Sequence, residues 1–209
     1  MVKVNAPAMS LDASGSLGGA IVFSKWKGRN YVRTLVRPSN PRTAIQIAVR
    51  AMFKFLSQAW ESVAGGPQVT WEDLAKAGRV SPFNSYMAAN MSRWREFSGP
   101  SQSTPAAETG TAPVAVLTSA VGGSRHMDVT LTITTLNDVW GVALFRSPTG
   151  TFTPSIANCI AVLPVDGTGT IVYTDSGLAP AAYFYDAKFF TKEGAIGADE
   201  GEVTGTVTA

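Results

Sequence analysis

The chain has 209 residues, of which 45% are apolar and 15% are charged. Soluble proteins usually carry about 25% charged residues, so we expect this chain to cover much of its surface with neighbouring molecules. A single cysteine, Cys159, and a single histidine, His126, exclude an internal disulfide and a Cys₄ or Cys₂His₂ zinc site. No run of about 18 apolar residues predicts a membrane-spanning helix, and Met1–Asn5 does not open a secretory signal.

Charge is unevenly distributed along the chain. Residues 1–98 hold 13 Lys and Arg against 5 Asp and Glu, a net charge of +8, whereas residues 99–209 hold 4 against 10, a net charge of −6. This asymmetry predicts two modules that meet different partners.

The first predicted element is a β-hairpin over residues 17–36. A glycine-rich stretch starts at Gly15, and a strand follows it and ends at Trp26. Lys27-Gly28 then turns the chain, and residues 30–36 form the second strand. The glycines do not form a phosphate-binding loop, because that loop needs Gly-Lys-Ser/Thr at the start of a helix.

Three helices are predicted next, at about 41–64, 71–77 and 82–97. Asn40 and Pro41 favour the start of the first, Thr70 to Asp73 resembles a capping box for the second, and Ser81-Pro82 favours the start of the third. The apolar positions of the first helix recur at helical spacing and predict one buried face. They are Ile45, Ala48, Val49, Met52, Phe53, Leu56, Trp60 and Val63. The many aromatic residues of these helices favour a core or subunit contact over a cofactor site.

Residues 99–110 are small, polar and rich in Pro and Gly, which predicts a linker. We therefore expect an anchoring α/β domain at 1–98 and a separate domain at 111–209. The second domain shows period-2 alternation from Met127 to Thr134 and short apolar strands elsewhere. Seven short strands in about 100 residues predict a β-sandwich. They fall near 114–117, 127–134, 139–145, 160–163, 170–173, 183–190 and 202–207.

The stretch from Tyr173 to Tyr185 resembles the fibronectin type III family, in which an Asp and a Leu-x-Pro precede a corner tyrosine. Asp175, Leu178-Ala179-Pro180 and Tyr183 match that pattern, and Trp140 takes the place of an early core aromatic. The resemblance implies an all-β immunoglobulin/fibronectin type III-like sandwich over 111–209, within an overall α+β fold. Such folds mostly carry binding and spacing roles.

Residues 15–65 resemble uncharacterised proteins encoded among phage and prophage virion genes. The resemblance rests on a Trp-Lys-Gly-x-x-x-Val-Arg hairpin, here Trp26 to Arg33, and on the Asn-Pro-x-Thr helix start at Asn40. It implies a virion component, and it leaves capsid, neck and tail open.

No catalytic, cofactor-binding or metal site is predicted. His126 reads as a surface residue and Cys159 as a small buried hydrophobe. Glu72 and Asp73 are adjacent on a helix and therefore do not pair for acid–base work. Asp199, Glu200 and Glu202 are expected to form a solvated turn rather than a cation site.

The strongest candidate site is a cluster of basic and aromatic residues in the hairpin. Such a mixture binds either an acidic protein surface or nucleic acid, with cations on phosphates and rings on bases. Docking on protein is favoured because no recognised nucleic-acid motif accompanies the cluster. The predicted anchor residues are Lys25, Trp26, Lys27, Arg29, Tyr31 and Arg33.

The expected function is structural, as a capsid decoration or cement protein that binds the particle through its basic N-terminal domain. The alternatives are a tail or neck protein, a nucleic-acid-binding protein that uses the hairpin, and a glycan or host-surface binding module. The expected partners are other virion proteins and further copies of the chain in an oligomer or symmetric array. The expected location is the virion, assembled in the bacterial cytoplasm, and no enzyme activity, cofactor or membrane is expected.

Overall fold

The computed structural model describes residues 2–3, 14–37, 40, 42–63, 65–111 and 113–209. These residues form three α-helices and eleven β-strands that pair antiparallel, so the predicted α+β class is confirmed. The chain divides into two compact units, Met1–Pro41 and Arg42–Ala209.

The first unit is a four-stranded sheet. Its strands are β1 (Val2–Lys3), β2 (Gly15–Leu17), β3 (Ile21–Trp26) and β4 (Arg29–Thr34), in the order β1-β4-β3-β2. The predicted turn at Lys27-Gly28 has φ values of 49° and 76°, the positive pair of a two-residue type I′ hairpin turn. A second turn at Gly18-Gly19 separates β2 from β3, so the glycine-rich stretch before the predicted strand contains a short strand and a turn.

The second unit begins with helices α1 (Ala44–Ala59), α2 (Gly66–Gly78) and α3 (Pro82–Arg95). Helix α1 starts after Thr43 rather than at the predicted Asn40-Pro41, of which Pro41 lies outside the described residues. Helix α2 starts five residues earlier than predicted, because Pro67 is tolerated in a first turn that needs no N–H donor. Ser81 caps α3 as predicted, accepting the Asn84 N–H at 3.1 Å.

The predicted capping box at the start of α2 is wrong, because Thr70 lies inside the helix. Its hydroxyl donates to the Pro67 carbonyl at 2.6 Å instead of capping a free N–H. On α1, the predicted buried face is confirmed at Ala48, Met52 and Leu56, which are fully buried. It is wrong at Ile45 and Phe53, which are 58% and 51% exposed, and Phe55 is buried in addition.

All seven strands predicted for 111–209 are present, in two sheets. One sheet has the order β5-β6-β9 and the other β11-β10-β7-β8. Inward-facing residues of both sheets form one hydrophobic core, which includes Val129, Leu131 and Leu144. The strands are β5 (Val114–Gly123), β6 (His126–Thr135), β7 (Val139–Ser147), β8 (Cys159–Pro164), β9 (Gly169–Ser176), β10 (Ala182–Thr191) and β11 (Val203–Thr206).

The three helices form a second core with the sheet β11-β10-β7-β8 of the same unit, on the side of that sheet away from the three-stranded sheet. Phe55 of α1 meets Trp140 of β7 and Phe190 of β10 edge-on, with ring centroids 5.1 and 5.2 Å apart. Phe145 and Trp94 belong to the same cluster. The unit is thus layered as helices, four-stranded sheet and three-stranded sheet, and the predicted division into 1–98 and 111–209 does not separate two cores.

Residues 99–110, predicted as a linker, are tied to both neighbours. The Asn90 side chain donates to the Ser101 carbonyl at 2.9 Å and accepts the Ser101 N–H at 2.7 Å. The Trp71 indole donates to the Gln102 carbonyl at 2.6 Å, and the Gln102 backbone N–H donates to the backbone carbonyl of Lys192. Small polar composition looks the same whether a segment is free or bound, so the sequence could not reveal these bonds.

Candidate functional site

The strand register of the first unit sorts its side chains onto two faces. Trp26 lies opposite Arg29, Ser24 opposite Tyr31, and Val22 opposite Arg33. Because directly opposite residues of an antiparallel pair share a face, these six residues lie on one side of the sheet. We call this side, with Trp26, Arg29, Tyr31 and Arg33, the basic–aromatic face.

Four of the six predicted anchor residues therefore lie together. Trp26 is 65% exposed, Arg29 and Arg33 are exposed, and Tyr31 is half-buried. Lys27 occupies the hairpin turn with its Nζ 4.8 Å from the centre of the Trp26 ring, a cation–π contact that extends the positive charge to the tip. Lys25 differs: the register pairs it with Asn30 on the opposite side of the sheet.

The other side of the sheet is apolar, a feature that the sequence analysis missed. The pairs Leu17–Ile21, Ile21–Thr34 and Phe23–Val32 all lie on it. We call this side the apolar face. Leu17 is 63% and Ile21 37% exposed, while Phe23 and Val32 are half-buried. Alternation within Ile21–Trp26 carried this signal, because it places Ile21 and Phe23 on the side opposite Trp26.

The side chains of both faces are exposed or half-buried in the part of this unit whose burial is described. Among residues 14–37 and 40, whose burial is described, none is buried. Sheets of this size usually need a packed hydrophobic face for stability, and an exposed Trp next to exposed cations is typical of an interface residue. These exposed side chains make the first unit the candidate contact surface of the chain.

The second unit offers little for nucleophilic catalysis. Cys159 is buried and donates to the Ala161 carbonyl at 3.6 Å, and burial raises the pKa of its thiol to about 12, so the thiolate form is scarce at neutral pH. His126 is partly exposed, with Nδ1 3.0 Å from the Ser124 carbonyl and Nε2 3.9 Å from the Asp128 carboxylate. Both residues occupy structural positions at strand starts.

The acidic residues considered in the sequence analysis do not converge on a metal. Among the described residues, no three His, Cys, Asp or Glu side chains are placed to share a metal ion. Asp199 pairs with Lys188 at 2.7 Å, and Asp73 pairs with Lys76 at 3.1 Å on the surface of α2. These carboxylates therefore act as partners of lysines.

Within the second unit, a cleft of 510 Å³ opens between α1 and the end of the sheet β11-β10-β7-β8. Its ionisable lining residues are Asp166 and Lys192, and its aromatic residues, Phe55 and Trp140, belong to the core. No histidine or cysteine lines it. Within the described part of the chain, no helix is both long and apolar enough to cross a membrane.

Comparison with known proteins yields similarity to solved structures. No protein family matches the chain, and no curated protein matches it. A Fn3-like protein from Clostridium thermocellum is 20% identical over 47% of this chain and 97% of its own, with a TM-score of 0.35. A beta-1,2-glucanase from Parabacteroides distasonis is 20% identical over 48% of this chain and 13% of the enzyme, with a TM-score of 0.38. The soluble domain of PmoD from Methylocystis sp. is 13% identical over 42% and 77%, with a TM-score of 0.29.

Proposed function

We propose that this protein is a non-enzymatic structural component of a tailed-bacteriophage particle, a capsid decoration or cement protein that docks through its basic–aromatic face. The observation that carries the proposal is an exposed tryptophan on a positively charged sheet face in a unit without buried residues among 14–37 and 40. The resemblance of residues 15–65 to virion-associated proteins supports the particle as the setting.

In the proposed docking, the charged and the aromatic side chains have different roles. Lys27, Arg29 and Arg33 attract an acidic surface over a distance of about 8–10 Å at physiological salt, which speeds capture. Trp26 and Tyr31 supply apolar area that leaves water when the complex forms, and such residues commonly contribute about 2 kcal/mol or more each. Capture thus depends on salt, and retention depends on the rings.

The second unit then serves as a rigid spacer that includes a fibronectin type III-like sandwich. The Tyr183 hydroxyl donates to the Ala179 carbonyl at 3.3 Å, four residues upstream, and a bond of this kind supports the proposed corner tyrosine. Trp140 departs from the family pattern, because it packs toward the helices rather than between the two sheets. The helical layer is what distinguishes this body from a bare sandwich.

The proposal is tested by counting copies of the protein on particles. The double variant Lys27→Glu with Arg29→Glu should fall below a tenth of wild-type occupancy while the purified chain stays folded. The matched control is Arg50→Glu with Lys54→Glu, two exposed residues of α1 that give the same change in net charge. Equal loss from both double variants would contradict docking through the basic–aromatic face.

A nucleic-acid-binding role is the second candidate, favoured by the same mixture of rings and cations. The two candidates differ on genome-free shells or tails. Docking on protein predicts full occupancy there, whereas binding to DNA predicts loss of the protein from empty particles and a steep fall of affinity with salt.

A further inference from the structure

We propose that the cleft of the second unit is a binding site for a short, uncharged saccharide. Its volume of 510 Å³ lies within the range of about 300–1,000 Å³ that is typical of ligand pockets. Helix α1, the segment 99–110, the turn after β6 and the ends of β8 and β10 all contribute to its lining. None of its lining residues belongs to the basic–aromatic face, so the inference goes beyond the proposed docking function and does not rest on it.

The walls of the cleft are ordered by contacts within the unit. The buried rings of Phe55 and Trp140 meet edge-on, with centroids 5.1 Å apart. The Val165 N–H donates to the Trp140 carbonyl at 3.2 Å, and the Gln102 N–H donates to the Lys192 carbonyl at 2.8 Å. Because these walls are already fixed, little conformational entropy is lost when a small ligand binds.

The polar side chains of the lining can all form hydrogen bonds with a ligand. Within the described part of the chain, the side chains of Gln58, Gln102, Asp166 and Lys192 make no hydrogen bond or ion pair. An amide both donates and accepts, a carboxylate accepts and an ammonium group donates. Together they offer donors and acceptors at zero net charge, which suits sugar hydroxyls, because each hydroxyl also donates and accepts.

Apolar side chains of the lining suit the C–H groups of a sugar ring. Ala59, Leu136 and Pro164 line the cleft and are half-buried or exposed. A zwitterion such as a free amino acid is the rival ligand, because Asp166 and Lys192 carry opposite charges. Both of these residues are exposed, and ion pairs with exposed side chains contribute little to binding. The lining therefore favours a ligand that is held by hydrogen bonds and apolar contact.

The first test is saturation-transfer NMR with the purified full-length chain. The probes are glucose, galactose, mannose and N-acetylglucosamine, each as the free sugar and as a β-linked disaccharide, with leucine as the zwitterionic probe. Wild type should transfer saturation to at least one saccharide and not to leucine. Ala59→Trp fills the cleft and should abolish the transfer, whereas the matched control Ala77→Trp, on the exposed surface of α2, should retain it. Transfer to no saccharide, or equal loss in both variants, would overturn the inference.

A second set of variants avoids large side chains. Gln58→Leu with Gln102→Leu removes two amides and should raise the dissociation constant of the bound saccharide at least about tenfold. Lys192→Gln with Asp166→Asn removes both charges but keeps hydrogen-bonding groups, and should change that constant by less than about threefold. Binding of leucine that disappears in the charge variant would identify a zwitterion site and overturn the inference. Failure of the docking proposal would show only in particle occupancy, so the two outcomes are distinguishable.

Discussion

Strands β3 and β7 are both rich in apolar residues, but they differ in how far those residues are buried. In β7, eight of nine residues are buried, because helices cover one side of its sheet and a second sheet covers the other. In β3, which contains Ile21, Phe23 and Trp26, no residue is buried. Burial of an apolar strand thus depends on which elements cover it, and β3 is a strand of the face that we propose as the docking surface.

The first prediction concerns removal of the helices from the sandwich of the second unit. A fragment of residues 42–209 should melt cooperatively, whereas a fragment of residues 111–209 should lose its cooperative transition. The shorter fragment leaves Trp140, Phe145 and Phe190 without the helices that cover them. Each exposed ring forfeits about 1.5–3 kcal/mol out of a typical total of 5–15 kcal/mol. Calorimetry measures both; a cooperative melt of 111–209 at the temperature of the longer fragment would contradict the shared core.

The second prediction compares one tryptophan in each unit. Trp140→Ala should lower the free energy of unfolding by about 3–5 kcal/mol, because it opens a cavity beside Phe55 and Phe190. Trp26→Ala should change it by less than about 0.5 kcal/mol, since the side chain is 65% exposed. Urea denaturation of both variants checks the contrast, and a larger loss at Trp26 than at Trp140 would reverse the assignment of core and interface.

The third and smallest effect concerns an ionisable residue inside the body. Burial, ahead of the nearby charges of Asp199 and Glu202, raises the pKa of Asp186 above 3.8. The folded state therefore favours the protonated carboxyl, and its contribution to stability is present below about pH 3.8 and is lost as the pH rises through the raised pKa. Asp186→Asn removes this loss and still offers Oδ1 to the Ala187 N–H.

The Tm difference between Asp186→Asn and wild type should thus grow from acid pH toward neutrality. Asp138→Asn is the control, because it makes the same substitution at an exposed residue. An equal growth of the Tm difference in both variants would contradict a specific effect of burial at Asp186. A difference that shrinks as the pH rises would mean that the ionised carboxylate is stabilised in the folded protein.

Much of the second unit could be predicted from local patterns. The period-2 alternation of β6 is reproduced in its burial: the alternate residues Met127, Val129, Leu131 and Ile133 are buried. The continuous apolar run from Val139 to Phe145 is typical of a strand covered on both sides. That pattern indicates cover on both sides of the strand, but it does not say which element supplies the cover.

The candidate site was predicted as one cluster and observed as two faces. A two-residue turn at Lys27-Gly28 sets the register, and a shift of one residue would exchange the faces. The composition of the hairpin indicated a contact surface, but the separation of Lys25 from Trp26 and Arg29 follows from the pairing. That separation places Lys25 outside the proposed docking face.

Local patterns were sufficient to predict the α+β class, the seven strands of the second unit, the hairpin and the start of α3 at Ser81, because period, turn chemistry and capping are local properties of the chain. The core shared by the helices and the sandwich, and the hydrogen bonds that hold residues 99–110, depend on tertiary contacts. Contacts such as Phe55 with Trp140 and Asn90 with Ser101 join different segments of the chain through packing and buried hydrogen bonds. No local pattern encodes which partner a buried group will find.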